Sequence, residues 1–183
     1  MIRRPPRSTL DRSSAASDVY KRQSLAIAKN KVSKLNESGK VVVFTNGCFD
    51  IIHKGHITLL KKARQLGDFL IVGLNSNESV SNLKGQGRPI NSEEKRSGNL
   101  LKLDYVDGVV IFYENTPKNL IAELRPDILV KGGDYTKEEV IGAKQVVEDG
   151  GEIVIIPLVP GYSTTNTINA LKEKGLTEED CTD

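Results

Sequence analysis

From Ser24 onward, short unbroken apolar runs alternate with segments of helical periodicity, a pattern that restricts the chain to a parallel sheet covered by helices on both faces. The spacing predicts strands at 41–44, 69–74, 109–112, 127–130 and 152–158, after a first helix over 25–37 that stops near Gly39. Behind the first strand, Ile57, Leu59, Leu60, Ala63 and Leu66 recur at near-helical spacing, with Gly67 as a stop. Asn75-Ser76-Asn77-Glu78 is a helix-start signal. Asn91-Ser92-Glu93-Glu94 reads as a capping box opening a helix through Leu103, in which Gly98 costs roughly 1 kcal/mol against alanine. Thr116-Pro117 starts a further helix with proline at its first position, and Pro126 closes it. A helix over 137–147 and a last one after Ser163-Thr164-Thr165-Asn166 complete a Rossmann-like, doubly wound, five-stranded α/β domain over 24–174, followed by an acidic tail at 175–183.

Residues 1–23 do not share this pattern. They are basic, serine-rich and aperiodic, and they resemble translated sequencing-adapter read-through, a segment foreign to the domain. The rival reading is a basic arm for nucleic acid or a membrane surface. Six basic and two acidic residues lie there, so without the segment the formal charge falls from +2 to −2 and the case for a polyanionic partner goes with it. If the segment is foreign, the natural protein could extend further upstream. No apolar stretch approaches the ~20 residues of a membrane span, and two cysteines make no disulfide framework, so a reducing cytoplasm is the expected setting.

The chemistry is concentrated in Thr45-Asn46-Gly47-Cys48-Phe49-Asp50-Ile51-Ile52-His53-Lys54-Gly55-His56, which places both histidines of the chain where a buried strand turns into a helix. Gly47 and Gly55 would let backbone approach a ligand, and a helix start offers unpaired N–H groups to an anion. His53 and His56 would project toward that anion. Two other readings stand beside this one. The histidines could pack or cap the helix, or Cys48, His53 and His56 could hold zinc, for which no convincing fourth ligand exists because Cys181 lies in the tail. In an open parallel sheet, ligands bind outside the carboxyl ends of the strands. The motif, Lys131 to Asp134, and Ser163 to Thr165 all follow strands and converge there.

The HxGH turn and the Ser/Thr-rich helix start near the C-terminus resemble those of nucleotidyltransferases that join a phosphorylated small molecule to a nucleotide and release pyrophosphate. Within that superfamily, four stretches look like the D-glycero-β-D-manno-heptose 1-phosphate adenylyltransferases. They are Thr45 to Asp50, the Leu83-Lys84-Gly85 loop with Arg88-Pro89, Val130-Lys131-Gly132-Gly133-Asp134-Tyr135, and Ser163 to Asn166. The likeness covers about residues 24–174. It implies the nucleotidyltransferase fold, transfer of AMP from ATP to heptose 1-phosphate on the route to lipopolysaccharide inner core, Mg²⁺ with the ATP, and a homodimer. It also implies a sugar kinase as a neighbour, fused upstream in many members or separate. No metal ligand is assignable.

By the same resemblance His53, His56 and Lys84 are the catalytic residues. Asn46, Gly47, Cys48, Phe49, Gly55, Lys131, Gly132, Gly133, Asp134, Ser163, Thr164 and Thr165 form the nucleotide site, with Cys48 and Phe49 mainly packing the turn. Asp50, Arg88 and Arg96 are candidates for the acceptor. Each has a plainer alternative: Lys84 and Arg88 as solvated loop charges, Asp134 as a cap for the helix near Lys137, Asp50 as an organiser of the motif backbone, Arg96 as an exposed charge.

The chain departs from the related glycerol-3-phosphate cytidylyltransferases in having Leu158-Val159-Pro160-Gly161-Tyr162-Ser163, without arginine, before the Ser/Thr helix, which favours the heptose branch. Asn77 stands where that pattern would place an aspartate, and Ser97-Gly98-Asn99 is polar for a helix centre. The competing functions are a relative using CTP or another phosphorylated acceptor, and a nucleotide-binding regulator that does no chemistry.

Overall fold

A computed structural model describes residues 24–157. Residues 1–23, Ser163, Thr164, Thr165 and the expected last helix lie outside the described residues. In chain order the elements are α1 (Leu25–Glu37), β1 (Val42–Gly47), α2 (Lys54–Gln65), β2 (Phe69–Asn75), α3 (Asn77–Lys84), α4 (Glu93–Leu101), β3 (Gly108–Phe112), α5 (Lys118–Leu124), β4 (Ile128–Gly132), a 3₁₀ turn at Lys137–Glu139, α6 (Ala143–Glu148) and β5 (Glu152–Ile156). The five strands are parallel, in the order β3-β2-β1-β4-β5.

Because side chains alternate across a strand, the apolar runs feed two cores. Val42, Phe44, Ile71, Val110, Phe112, Leu129 and Ile153 pack on one face against α1, α5 and α6. On the other face Val43, Leu70, Val72, Leu74, Val109 and Val130 pack against α2 and α4. Fully burying each such side chain contributes about 1.5–3 kcal/mol. Gly73 makes room for this packing, since a Cβ there would lie 2.6 Å from the Phe44 ring.

Several boundaries differ from the sequence reading. β1 continues through Thr45-Asn46-Gly47, paired with Val72, Gly73 and Leu74 of β2, so half of the motif is strand. The Asn91-Ser92 signal starts α4 at Ser92, which accepts from the Lys95 amide; with lysine at the third helical position no capping box forms. Pro117 is the cap of α5 rather than its first residue. Gly67 has no left-handed backbone. Its Cβ would lie 2.7 Å from the Val41 carbonyl, so this glycine permits close packing at the foot of β1. The helix expected over 137–147 is split by Gly142, whose φ is +88° and which abuts the Ile121 side chain.

Three aspartates set the amino edge of the sheet by one repeated device. Asp68, Asp107 and Asp127 each immediately precede a strand, and each donates its amide to a carbonyl of the neighbouring strand end: Val41, Leu70 and Val42. The same three residues return their own amides to the aspartate Oδ2 atoms, at 3.1, 3.0 and 2.7 Å.

Candidate nucleotide and phosphate site

The register opens a crevice between β1 and β4. These strands pair only through Val43, Phe44 and Thr45 opposite Ile128, Leu129 and Val130. Beyond that point β1 stays with β2 as far as Gly47, while β4 stays with β5 as far as Gly132. Asn46-Gly47 and Lys131-Gly132 therefore stand on opposite lips of the gap, and the connections that follow β1 and β4 leave on opposite faces, which is a topological switch point.

On one lip the chain passes through Cys48 and Phe49, whose φ of +43° folds the ring back over Gly47; a Cβ on Gly47 would lie 3.0 Å from it. The space left by Gly47 is thus taken by the Phe49 ring. Phe49 is buried in the α2-side core and touches the His56 ring, with centroids 5.0 Å apart. His53 is the N-cap of α2 and makes no side-chain cap, so the reading of this histidine as a capping group does not hold. Its ring stacks on His56 at 3.8 Å. The first N–H groups of α2 lie beside the pair and have no intrahelical acceptor.

The electrostatics follow from that stack. Burial lowers the pKa of His53. For His56, wedged between Phe49 and His53, burial first and then the charge of His53 lower it to about 3. The Ile51 backbone pulls the other way, but His56 Nδ1 makes no hydrogen bond of good geometry. Both rings are therefore neutral at pH 7. Among the described residues, no three His, Cys, Asp or Glu side chains are grouped to hold a metal ion, and Cys48 is a free thiol. Burial raises the pKa of that thiol against the nearby charges of Lys84, Arg96 and Arg88.

Asp50 is 2% exposed and accepts from Arg88 Nε at 2.9 Å and from the amides of Ile90 and Asn91. Asn91 Nδ2 donates back to the Asp50 carbonyl. These bonds fasten the Gly-rich loop to the motif, so Asp50 organises backbone and Arg88 is more than a solvated charge. Arg96 is 0% exposed, so it is not the exposed charge of the plainer sequence reading. Its guanidinium donates to the carbonyls of Asn91, Cys48 and Asn75 and to Asn77 Oδ1, tying the end of β1, the end of β2 and the start of α3 together. Sequence reasoning missed this clamp. Its only sequence signal was an arginine beside Ser97 on an otherwise short apolar face.

Lys84 ends α3 on the exposed loop, next to Gly85 and Gly87, whose φ values are +88° and +80°. On the other lip, Gly133 has φ +133° and lies under the Tyr135 ring, where a Cβ would come within 2.8 Å. Asp134 is exposed and caps nothing: Thr136 caps the 3₁₀ turn, in a box with Glu139. The structure thus gathers the segments 46–56, 84–96 and 131–134 at the carboxyl edge.

A family model described as cytidylyltransferase-like matches residues 44–170. A protein of Campylobacter fetus called "Bifunctional protein HldE" is 51% identical over 146 residues, which cover 80% of this chain and 31% of that protein. The protein of the same name from Syntrophotalea carbinolica is 54% identical over 136 residues, 74% of this chain and 28% of its own length. The chain therefore spans about a third of the curated relatives it matches. Among solved structures, a lipopolysaccharide core biosynthesis protein from Thermoplasma volcanium superposes with a TM-score of 0.55 at 28% identity, covering 66% of this chain and 98% of that one.

Proposed function

From the premise that the chain belongs to the cytidylyltransferase-like family, we propose that it transfers AMP from ATP to D-glycero-β-D-manno-heptose 1-phosphate, giving ADP-heptose and pyrophosphate for lipopolysaccharide inner core. The observation that carries this reading is the stacked His53–His56 pair at the N-terminus of α2, on the lip of the switch-point crevice. The relatives named HldE and the lipopolysaccharide core biosynthesis protein support the acceptor class.

An oxygen of the sugar phosphate attacks the α-phosphorus of ATP as the bond to the β-phosphate oxygen breaks, and pyrophosphate leaves in line. The two neutral imidazoles donate hydrogen bonds to the phosphates, beside the free N–H groups of α2, where negative charge builds in the transition state. Lys84 closes over the triphosphate on its glycine-flanked loop. Gly132, Gly133 and Asp134 receive the nucleoside, and Ser163, Thr164 and Thr165 the phosphate tail. Mg²⁺ enters as the counter-ion of ATP. Asp50, one of the two acids of this site, has both carboxylate oxygens engaged by Arg88 and by the amides of Ile90 and Asn91. The reaction is placed in the cytoplasm, in a homodimer, supplied by a sugar kinase either fused or separate. Among the described residues no helix is long and apolar enough to cross a membrane.

The test is pyrophosphate release from Mg²⁺, heptose 1-phosphate and either ATP or CTP. ATP-selective release is expected, falling by ~10²–10³ in His56→Ala, the scale of one lost preorganised donor. Release with CTP alone, or with neither nucleotide, overturns the proposal.

A further inference from the structure

Among the described residues four cations surround the end of β1, and two of them, Arg88 and Arg96, are held by protein partners. The charges of Lys84, Arg88 and Arg96 are felt at Cys48, and the charge of Lys131 is coupled to the same thiol. Arg88 is held by Asp50, Arg96 by four carbonyl oxygens, and Lys84 stands in solvent on its loop. Lys131 is half-buried, and among the described residues its ammonium makes neither a hydrogen bond nor an ion pair. Withdrawing an ammonium from water without a counter-charge is unfavourable, and burial accordingly lowers its pKa.

Position says what supplies the counter-charge. Lys131 is the first residue of β4 beyond the last pair with β1, on the lip of the crevice. It alternates with Leu129 and sits opposite Ile155 in the register, so it belongs to the face of α1, α5 and α6. The histidines and the N-terminus of α2 reach the crevice from the opposite face. In-line displacement requires attacking and leaving oxygens on opposite sides of the α-phosphorus. With pyrophosphate leaving on the α2 side, the attacker arrives on the side of Lys131.

Resting on the proposed nucleotidyl transfer, we infer that Lys131 binds the phosphate of the acceptor, and so selects phosphorylated acceptors, instead of serving the nucleotide. It holds the attacking phosphate against the repulsion of the triphosphate. It takes no proton from the acceptor, whose phosphate is already ionised at neutral pH.

The experiment compares the full chain with Lys131→Met and Lys131→Arg, reading KM for acceptor and for ATP by pyrophosphate release and ATP affinity by equilibrium dialysis. The methionine variant is expected to raise the acceptor KM about 10- to 100-fold, the scale of one charged hydrogen bond, with ATP affinity within about twofold of the parent and partial recovery in the arginine variant. Weakened ATP binding with an unchanged acceptor KM overturns the assignment, and so do unchanged kinetics. An inactive parent counts against the proposed reaction and not against Lys131. Inorganic phosphate titrated against the parent and Lys131→Met then decides: binding lost in the variant supports an anion site at Lys131, and equal binding or none removes it.

Discussion

At the scale of the residue, the clamp around Arg96 is the least ordinary feature of the site, because a buried guanidinium is satisfied entirely by neutral oxygens. Asn77 is one of them, with Oδ1 at 3.0 Å. Replacing it by aspartate places a carboxylate where the amide now accepts. Asn77→Asp is expected to stabilise the fold by about 1 kcal/mol, a hydrogen bond to a charged group exceeding a neutral one by that order. The new carboxyl would have a folded-state pKa below its unfolded value, so the gain is present at neutral pH and lost as pH falls through the folded value; urea unfolding at neutral and acid pH reads both.

His56 gives a pH dependence of the same sign from a different cause, since burial resists its charged form and its folded-state pKa of about 3 lies below its ordinary 6.5. As pH falls through that interval the unfolded chain takes up a proton that the folded chain refuses. Stability is therefore intact above the ordinary value and declines below it, by at most about 1.4 kcal/mol per pH unit from this group. Unfolding free energies between about pH 7 and 5 should fall more steeply in the parent than in His56→Gln. The pairing of the two histidines was legible in their spacing. Their stacking and neutrality were not, because both depend on Phe49 turning inward through a left-handed backbone, which no local preference of phenylalanine announces.

At the scale of the element, α4 carries more function than its composition suggests. It presents Arg96 to three other segments, yet its centre is Ser97-Gly98-Asn99, and Ser97 Oγ is buried without a partner. A Cβ on Gly98 would meet nothing within 4 Å and its backbone is helical, so Gly98→Ala should stabilise the protein by about 0.5–1 kcal/mol, read as a higher urea midpoint with an unchanged slope. Elements with strong periodicity, such as α1 and α2, could be placed from the sequence because apolar spacing alone determines which face is buried. The stretch from 137 to 148 could not. Gly142 looks like an ordinary helix interruption in sequence, and only its contact with Ile121 of α5 explains why the backbone turns left-handed there.

At the scale of the whole molecule, five apolar runs with intervening helices were enough to predict a doubly wound sheet, because few chain paths bury strands on both faces. Strand order was less accessible: it is the short register between β1 and β4 that makes the crevice, and pairing length is a tertiary property. The aspartate rings were also overlooked, although each of the three residues stands directly before an apolar run, and Asp127 was counted inside its strand. Those rings collect three carboxylates at the amino edge, while Lys84, Arg88, Arg96 and Lys131 gather at the carboxyl edge. At that edge Lys84 and Lys131 are held by no acid among the described residues, so an approaching triphosphate is drawn toward the crevice by positive potential before any contact forms.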